Sequence, residues 1–175
     1  MSGIARIQTS GDVQRKYLAT AVDISDTATE DFLVIGYRIT DSAIEFNPET
    51  ETGTDINGRN FGSVDGFEPT QTFEPHRLTS GELGAIGEKL IHCFRYREFQ
   101  KLSQFKCLII YGMLGPEGGP YPADKYNACT ITPQNIGGDR WTNLPFQVIF
   151  GGDVTHGTVS SLINKTVFTP TVPGG

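Results

Sequence analysis

The sequence predicts a mainly β protein, an antiparallel β-sandwich or barrel with one flanking α-helix and a long hairpin loop. Three observations carry this. The 175 residues include 21 Gly and 10 Pro, which cut the chain into short segments as an all-β protein with many turns requires. Alternating or densely apolar runs of strand length recur between those breaks. One stretch alone, opening near Thr79, has persuasive helical spacing.

Taken in order, residues 1–15 are small and polar without periodicity and read as an N-terminal arm. Residues 16–24 alternate, with Leu18, Thr20, Val22 and Ile24 on one face. Residues 26–30 form a turn, and residues 32–39 make a dense apolar run broken by Gly36, the mark of a strand buried on both faces or bulged.

Residues 44–75 predict a long antiparallel hairpin. In an extended strand alternate side chains point to opposite faces, so the first arm places Glu45, Asn47, Glu49 and Glu51 opposite Ile44, Phe46 and Pro48. The second arm places Glu68, Thr70, Thr72 and Glu74 opposite Phe67, Pro69, Gln71 and Phe73. The result is one carboxylate-bearing face. Between the arms, residues 53–66 read as a polar tip too long for a tight turn. It holds Asp55, Asn57, Asn60 and Asp65, but an EF-hand register from Asp55 puts Arg59 at the fifth position and Gly58 too early, so the tip reads as a solvated loop and not a metal site.

Thr79-Ser80-Gly81-Glu82 has the form of a capping box, followed by Leu83, Ile86, Leu90 and Phe94 as a core-facing stripe. Gly81, Gly84 and Gly87 share another line of this helix. Interior glycine costs about 0.5–1 kcal/mol relative to alanine, so tertiary docking must hold the helix, and the glycine line suits close backbone approach. Arg95, Arg97 and Lys101 cluster at its end, either as favourable charge at a helix C-terminus or as partners for a neighbouring subunit's acidic face. Residues 105–113 form a second buried strand, 114–123 a loop, and 126–132 and 144–150 alternating strands. Residues 158–168 are a last extended segment, and 169–175 a C-terminal tail.

The whole chain, 1–175, reads as one domain. A net charge of −6 argues against a protein that grips phosphates. Cys93, Cys107 and Cys129 lack Cys-x-x-Cys spacing and read as small core hydrophobes in a reducing compartment. The N-terminal residues have no signal-peptide pattern and no apolar run approaches membrane-spanning length, so a soluble, cytoplasmically made protein is expected. His76, His92 and His156 lack ligand-spaced partners, and no nucleophile elbow, phosphate loop or metal-binding helix motif occurs. No catalytic residue, cofactor or metal is expected, and the chain is not read as an enzyme.

Several motifs in shared order carry a family resemblance. They are residues 44–52 (IEFNPETET), the tip 54–58 (TDING), 71–75 (QTFEP) before a glycine-rich helix, and the QF-x-x-L-x-x-YG pattern in 104–112. Residues 129–131, 136–139 (IGGD), 144–146 (LPF), 150–152 (FGG), 157–159 (GTV) and 168–170 (FTP) continue the series. Together these resemble the phage major tail (tail tube) protein family over nearly all of the chain beyond its N-terminal arm. The resemblance implies hexameric rings stacked into the hollow tube of a virion tail, assembled in the host cytoplasm. The tape measure, tail terminator and distal tail or baseplate proteins would be partners, and genomic DNA would pass the lumen without specific binding. Under that reading Glu45, Glu49, Glu51 and Glu68 line the lumen and repel phosphate. Thr54, Asp55, Asn57, Arg59 and Asn60 form an inter-ring loop, and Arg95, Arg97 and Lys101 lie at a subunit interface. The tip and the 114–123 loop depart from the family pattern. Rival readings are another ring-forming protein (a secretion-system tube subunit or a tail terminator) and a monomeric β-sandwich binding module.

Overall fold

The structure, a computed structural model, describes residues 14–25, 27–36, 39, 42–74 and 76–171. Among these residues the order is β1 (Leu18–Asp23), β2 (Phe32–Ile35), β3 (Ile44–Glu45), β4 (Pro48–Thr54), β5 (Asn60–Phe67), β6 (Thr70–Phe73), α1 (Ala85–Arg95), β7 (Phe105–Tyr111), β8 (Tyr121–Pro133), β9 (Phe146–Ile149), β10 (Val154–Val159), β11 (Lys165–Thr166) and β12 (Phe168–Pro170). All described pairings are antiparallel. The mainly β, antiparallel fold with one flanking helix is as the sequence predicts.

The 13-residue β8 organises the sandwich. Its first half lies between β7 and β10, with Ala123 opposite both Ile110 and Gly157. Its second half pairs with β9, Thr130 opposite Ile149. One strand therefore belongs to two layers, β11-β2-β1-β7-β8 and β8-β9-β6-β3. Val22 and Ile109 from the first layer share a core with Phe73, Ile131, Phe146 and Val148 from the second, and Ile86, Leu90 and Cys93 of α1 pack into the same core. A second cluster, Ala21, Phe32, Leu108, Ile110, Ala123 and Val159, fills the other face of the first layer, with Leu162 and Phe168 packed against it. That double burial explains the dense apolar runs of β2 and β7, in which Lys106, near the start of β7, alone is charged and reaches Glu30. Burying each large aliphatic side chain contributes about 1.5–3 kcal/mol. The three cysteines are buried in the core. Between the layers, the Thr20 hydroxyl donates to Gln71 Oε1, and Gln71 Nε2 donates to the Ser42 hydroxyl at 3.1 Å.

Several expectations need correction. The helical turn at residues 82–84 is 3-10, and α1 begins only at Ala85, with Gly84 at its N-cap and no side-chain cap bond; no capping box opens it. Its buried line is Ile86, Leu90 and Cys93, while Phe94 is 69% exposed. Phe94 follows Cys93 by one residue, about 100° around the helix, which turns it off the stripe. The glycine line does permit close approach, because a Cβ on Gly84 would meet the Thr79 carbonyl oxygen and one on Gly87 the Leu78 side chain. The segment 158–168 is not one extended piece but parts of β10, β11 and β12, with Ser161 and Thr166 hydrogen-bonded across the turn between them. Thr169 and Pro170, expected in a free tail, pair with Thr158 and Gly157; positions 172–175 lie outside the described residues. Of the N-terminal arm, 1–13 lie outside them too, and Arg15 donates to the carbonyls of Leu18 and Ser42.

Candidate assembly interface

The hairpin at 44–75 exists but is not continuous. β3 pairs with β6, Glu45 opposite Thr70, as part of the main sheet. β4 and β5 form a separate two-stranded sheet. At the junction Asn47 has φ of 46°, the left-handed region that Asn tolerates better than most residues. Its Nδ2 donates to the Glu68 carbonyl at 3.1 Å and to the Thr70 hydroxyl at 3.0 Å, while the Glu68 amide donates to the Phe46 carbonyl. That conformation ends strand alternation, so the expected face running from Glu45 to Glu51 is interrupted.

Beyond the junction the ladder runs Glu49 opposite Gly66, Glu51 opposite Ser63, and Gly53 opposite Phe61, with an irregularity at Glu49/Thr50 that accommodates Asp65. Directly opposed residues share a face, so Glu49, Glu51, Ser63 and Phe61 lie together. Asp65 joins them through a hydrogen bond from the Ser63 hydroxyl at 3.2 Å. Phe61 lies across Gly53, where a Cβ would fall 2.6 Å from the ring. The opposite face carries Pro48, Thr50, Thr52, Val64 and Phe67, with Phe46 edge-on to Phe67 at 6.1 Å between ring centres. Same-strand, same-face carboxylates sit about 6–7 Å apart and repel by roughly 0.6 kcal/mol in water-like dielectric, a tolerable cost. Among the described residues, Glu49, Glu51 and Asp65 have no ion-pair partner.

The tip is shorter than expected. Strand pairing extends to Thr54 and Asn60, leaving only 55–59 as the turn. The Asp55 amide donates to the Arg59 carbonyl, and Asp55 Oδ1 accepts from the amides of Asn57 and Arg59, both at 2.9 Å. Thr54 and Asn60 are joined by their side chains at 3.1 Å. Asp55 is thus committed to the turn, and the tip is rigidly built. Ile56 is fully exposed at its apex, and Phe61, Val64 and Phe67 are each more than half exposed.

Of the three basic residues at the helix end, Arg97 takes a positive φ of 55°. The Glu98 amide bonds back to Cys93 and the Arg97 amide to Phe94, a Schellman closure. Lys101 pairs with Glu98 at 3.0 Å, and Arg95 lies over the Tyr96 ring. The helix C-terminus therefore receives basic charge from this chain, and Arg97 is exposed.

A second cluster escaped sequence reasoning. The Arg77 and Arg140 guanidiniums lie 4.9 and 5.3 Å from the ring centre of Trp141, which is 51% exposed. Here the backbone is tightly constrained. Leu78 N–H donates to the Thr142 carbonyl and Leu144 N–H to the His76 carbonyl, while Gly137 and Asn143 exchange two bonds. Gly138, at φ 144°, brings the Trp141 carbonyl to 2.0 Å from where a Cβ would be. The signal available in the sequence was Trp141, the single tryptophan, beside Arg140 after a Gly-Gly turn; nothing in it brought Arg77 near.

No protein-family model matches the chain, and no curated protein matches it. Among solved structures, the anti-feeding prophage cap that terminates its tube is similar at 11% identity and a TM-score of 0.44, covering 87% of this chain and 95% of that one.

Beneath the arginine cluster sits His76, 6% exposed, its ring edge-on to Phe146 at 4.9 Å and its Nδ1 without a hydrogen-bond partner. Burial pushes its pKa below the usual imidazole value, with the Leu144 backbone working more weakly the other way. The unfolded chain takes up this proton near pH 6.5, whereas the folded chain resists it. Stability present above about pH 6.5 is therefore lost as pH falls toward the folded value. Thermal melts of the wild type should drop from pH 7 to pH 5 more steeply than those of His76→Phe; parallel pH profiles would contradict this.

Proposed function

We propose that this chain is a structural subunit of a phage tail, associating with itself into rings, hexameric by the family resemblance, that stack around a path for DNA. The observation that carries the reading is the β4-β5 hairpin, which among the described residues is a separate two-stranded sheet exposing Phe61 on one face and Val64 and Phe67 on the other. An isolated two-stranded sheet is marginal in water, and the exposed Val64 and Phe67 on one face, with Phe46 edge-on to Phe67, form the kind of apolar patch that marks an interaction site. A tube subunit supplies the cover from its neighbours, which a monomeric binding module does not explain.

The outward face of β3-β6-β9-β8 carries Glu45, Thr70, Thr72, Gln147, Thr130 and Thr132 around the exposed Ile149, a largely polar surface with no cation among these residues and suited to bordering a polyanion. In this reading Glu45, with nearby Glu68, faces the DNA path. Glu49 and Glu51 belong to the separate hairpin sheet and serve contacts between subunits. The reading assigns the chain no catalysis.

Negative-stain microscopy of the purified protein at rising concentration tests the proposal. Hollow rings that stack into tubes are expected. Rings that never stack would favour a terminator, and particles that stay single at every concentration would overturn the proposal.

A further inference from the structure

The acidic hairpin and the Arg77–Trp141–Arg140 cluster lie at opposite ends of one sheet. β6 runs from Thr70, next to the hairpin junction, to Phe73, four residues before Arg77. Thr70 pairs with Ile149 and Phe73 with Phe146, and Phe146 directly follows the 134–145 excursion that bears Arg140 and Trp141. Strand β8 repeats the polarity, with Thr130 opposite Ile149 and Pro133 opposite Phe146. The two surfaces therefore lie at opposite ends of the sheet within one subunit.

Their chemistry is complementary. One end offers Glu49, Glu51 and Asp65 beside the Phe61 ring, and among the described residues no cation pairs with these acids. The other offers two guanidiniums held against one exposed indole, and among the described residues no carboxylate, neighbouring Asp139 included, pairs with either. Holding two like charges on one ring is unfavourable unless anions complete the site, and planar guanidiniums bind carboxylates in fixed geometry. Gly138 and the Gly137–Asn143 bonds pre-order the cluster, so little is lost in ordering it on contact. We propose that the carboxylate face of the β4-β5 hairpin docks on the Arg77–Trp141–Arg140 cluster of a second copy of this chain, forming the head-to-tail contact along which subunits stack. The contact joins two different surfaces, so it is heterologous and repeats until a ring closes or a filament grows. The inference deepens the self-assembly reading and rests on it.

Trp141, being the single tryptophan, reports the contact directly. Its fluorescence and quenching by acrylamide are measured for wild type, Glu49→Lys/Glu51→Lys and Arg77→Glu/Arg140→Glu, with circular dichroism and melts confirming the fold. Glu49→Gln/Glu51→Gln and Arg77→Gln/Arg140→Gln replace any charge-reversed variant that does not fold. Wild type should self-associate with a blue shift and at least a threefold drop in quenching. Each variant should need at least tenfold more protein to associate, and mixing the two charge-reversed variants should restore both association and shielding. Wild-type assembly with unchanged Trp141 quenching, or variants that assemble like wild type, would overturn the contact while leaving self-assembly standing. A wild type that never associates would overturn both. Shielding of Trp141 by a short DNA duplex and not by a second copy would overturn the contact in favour of a nucleic-acid site.

Discussion

Phe146→Ala is expected to cost about 3–5 kcal/mol of folding stability, the range for an aromatic ring removed from a packed core. Phe146 is fully buried, 5.0 Å from the Phe73 ring and 4.9 Å from that of His76. It closes β9 against β6 at the end of the sheet where the arginine cluster begins, so its loss removes support from both layers. Urea denaturation gives the number. Phe61→Ala is the control, because that ring is 52% exposed on the hairpin. It should change subunit stability by less than about 1 kcal/mol while weakening self-association. A Phe146→Ala chain as stable as wild type would show that the two layers do not depend on this ring.

Gly84→Val should be as damaging for a different reason. A Cβ at Gly84 would lie 1.4 Å from the Thr79 carbonyl oxygen, a backbone atom that has no rotamer to relieve the clash. Either α1 lifts from the sheet or the 79–84 turn opens, and in both cases Ile86 and Leu90 lose part of their burial. A loss of about 3 kcal/mol or more is expected, at the upper end for single substitutions. Gly137→Ala provides the contrast, since a Cβ there meets nothing within 4 Å, and it should stay within about 0.5 kcal/mol. Equal stabilities for the two variants would contradict the close approach.

Much of this architecture was legible in the sequence because burial leaves a periodic trace. β7 and β2 were visible as dense apolar runs since both faces are covered, and β6 as an alternation since Gln71 and Phe73 point inward while Thr72 points out. The hairpin was legible for the same reason, but its junction was not. Asn tolerates the left-handed region and Asn-Pro favours a turn, but the strand alternation around Phe46-Asn47-Pro48 masked that signal, and the left-handed Asn47 separates Glu45 from Glu49. The tip was overestimated because Gly53, Gly62 and Gly66 look like loop residues. They sit instead in paired strands, where Phe61 covers Gly53 and supplies the side-chain surface that glycine lacks. Phe94 was misplaced because helical spacing admits either i+3 or i+4, and the packing chose Cys93. The Arg77–Trp141–Arg140 cluster joins residues from two distant segments, and no local pattern encodes such a meeting.

Sedimentation velocity across a wide concentration range tests the central claim, that the exposed hairpin is where copies of this chain join. Two chains are compared, wild type and a variant in which residues 48–67 are replaced by a short glycine-containing turn. The junction bonds from Asn47 Nδ2 to the Glu68 carbonyl and the Thr70 hydroxyl lie at the hairpin's base, so the shortened subunit should keep the far-ultraviolet circular dichroism expected of the remaining sheet. Wild type should show species that grow with concentration, and the shortened chain should sediment as a single subunit throughout. Assemblies of the same size from both chains would contradict the claim, as would a wild type that stays single at every concentration.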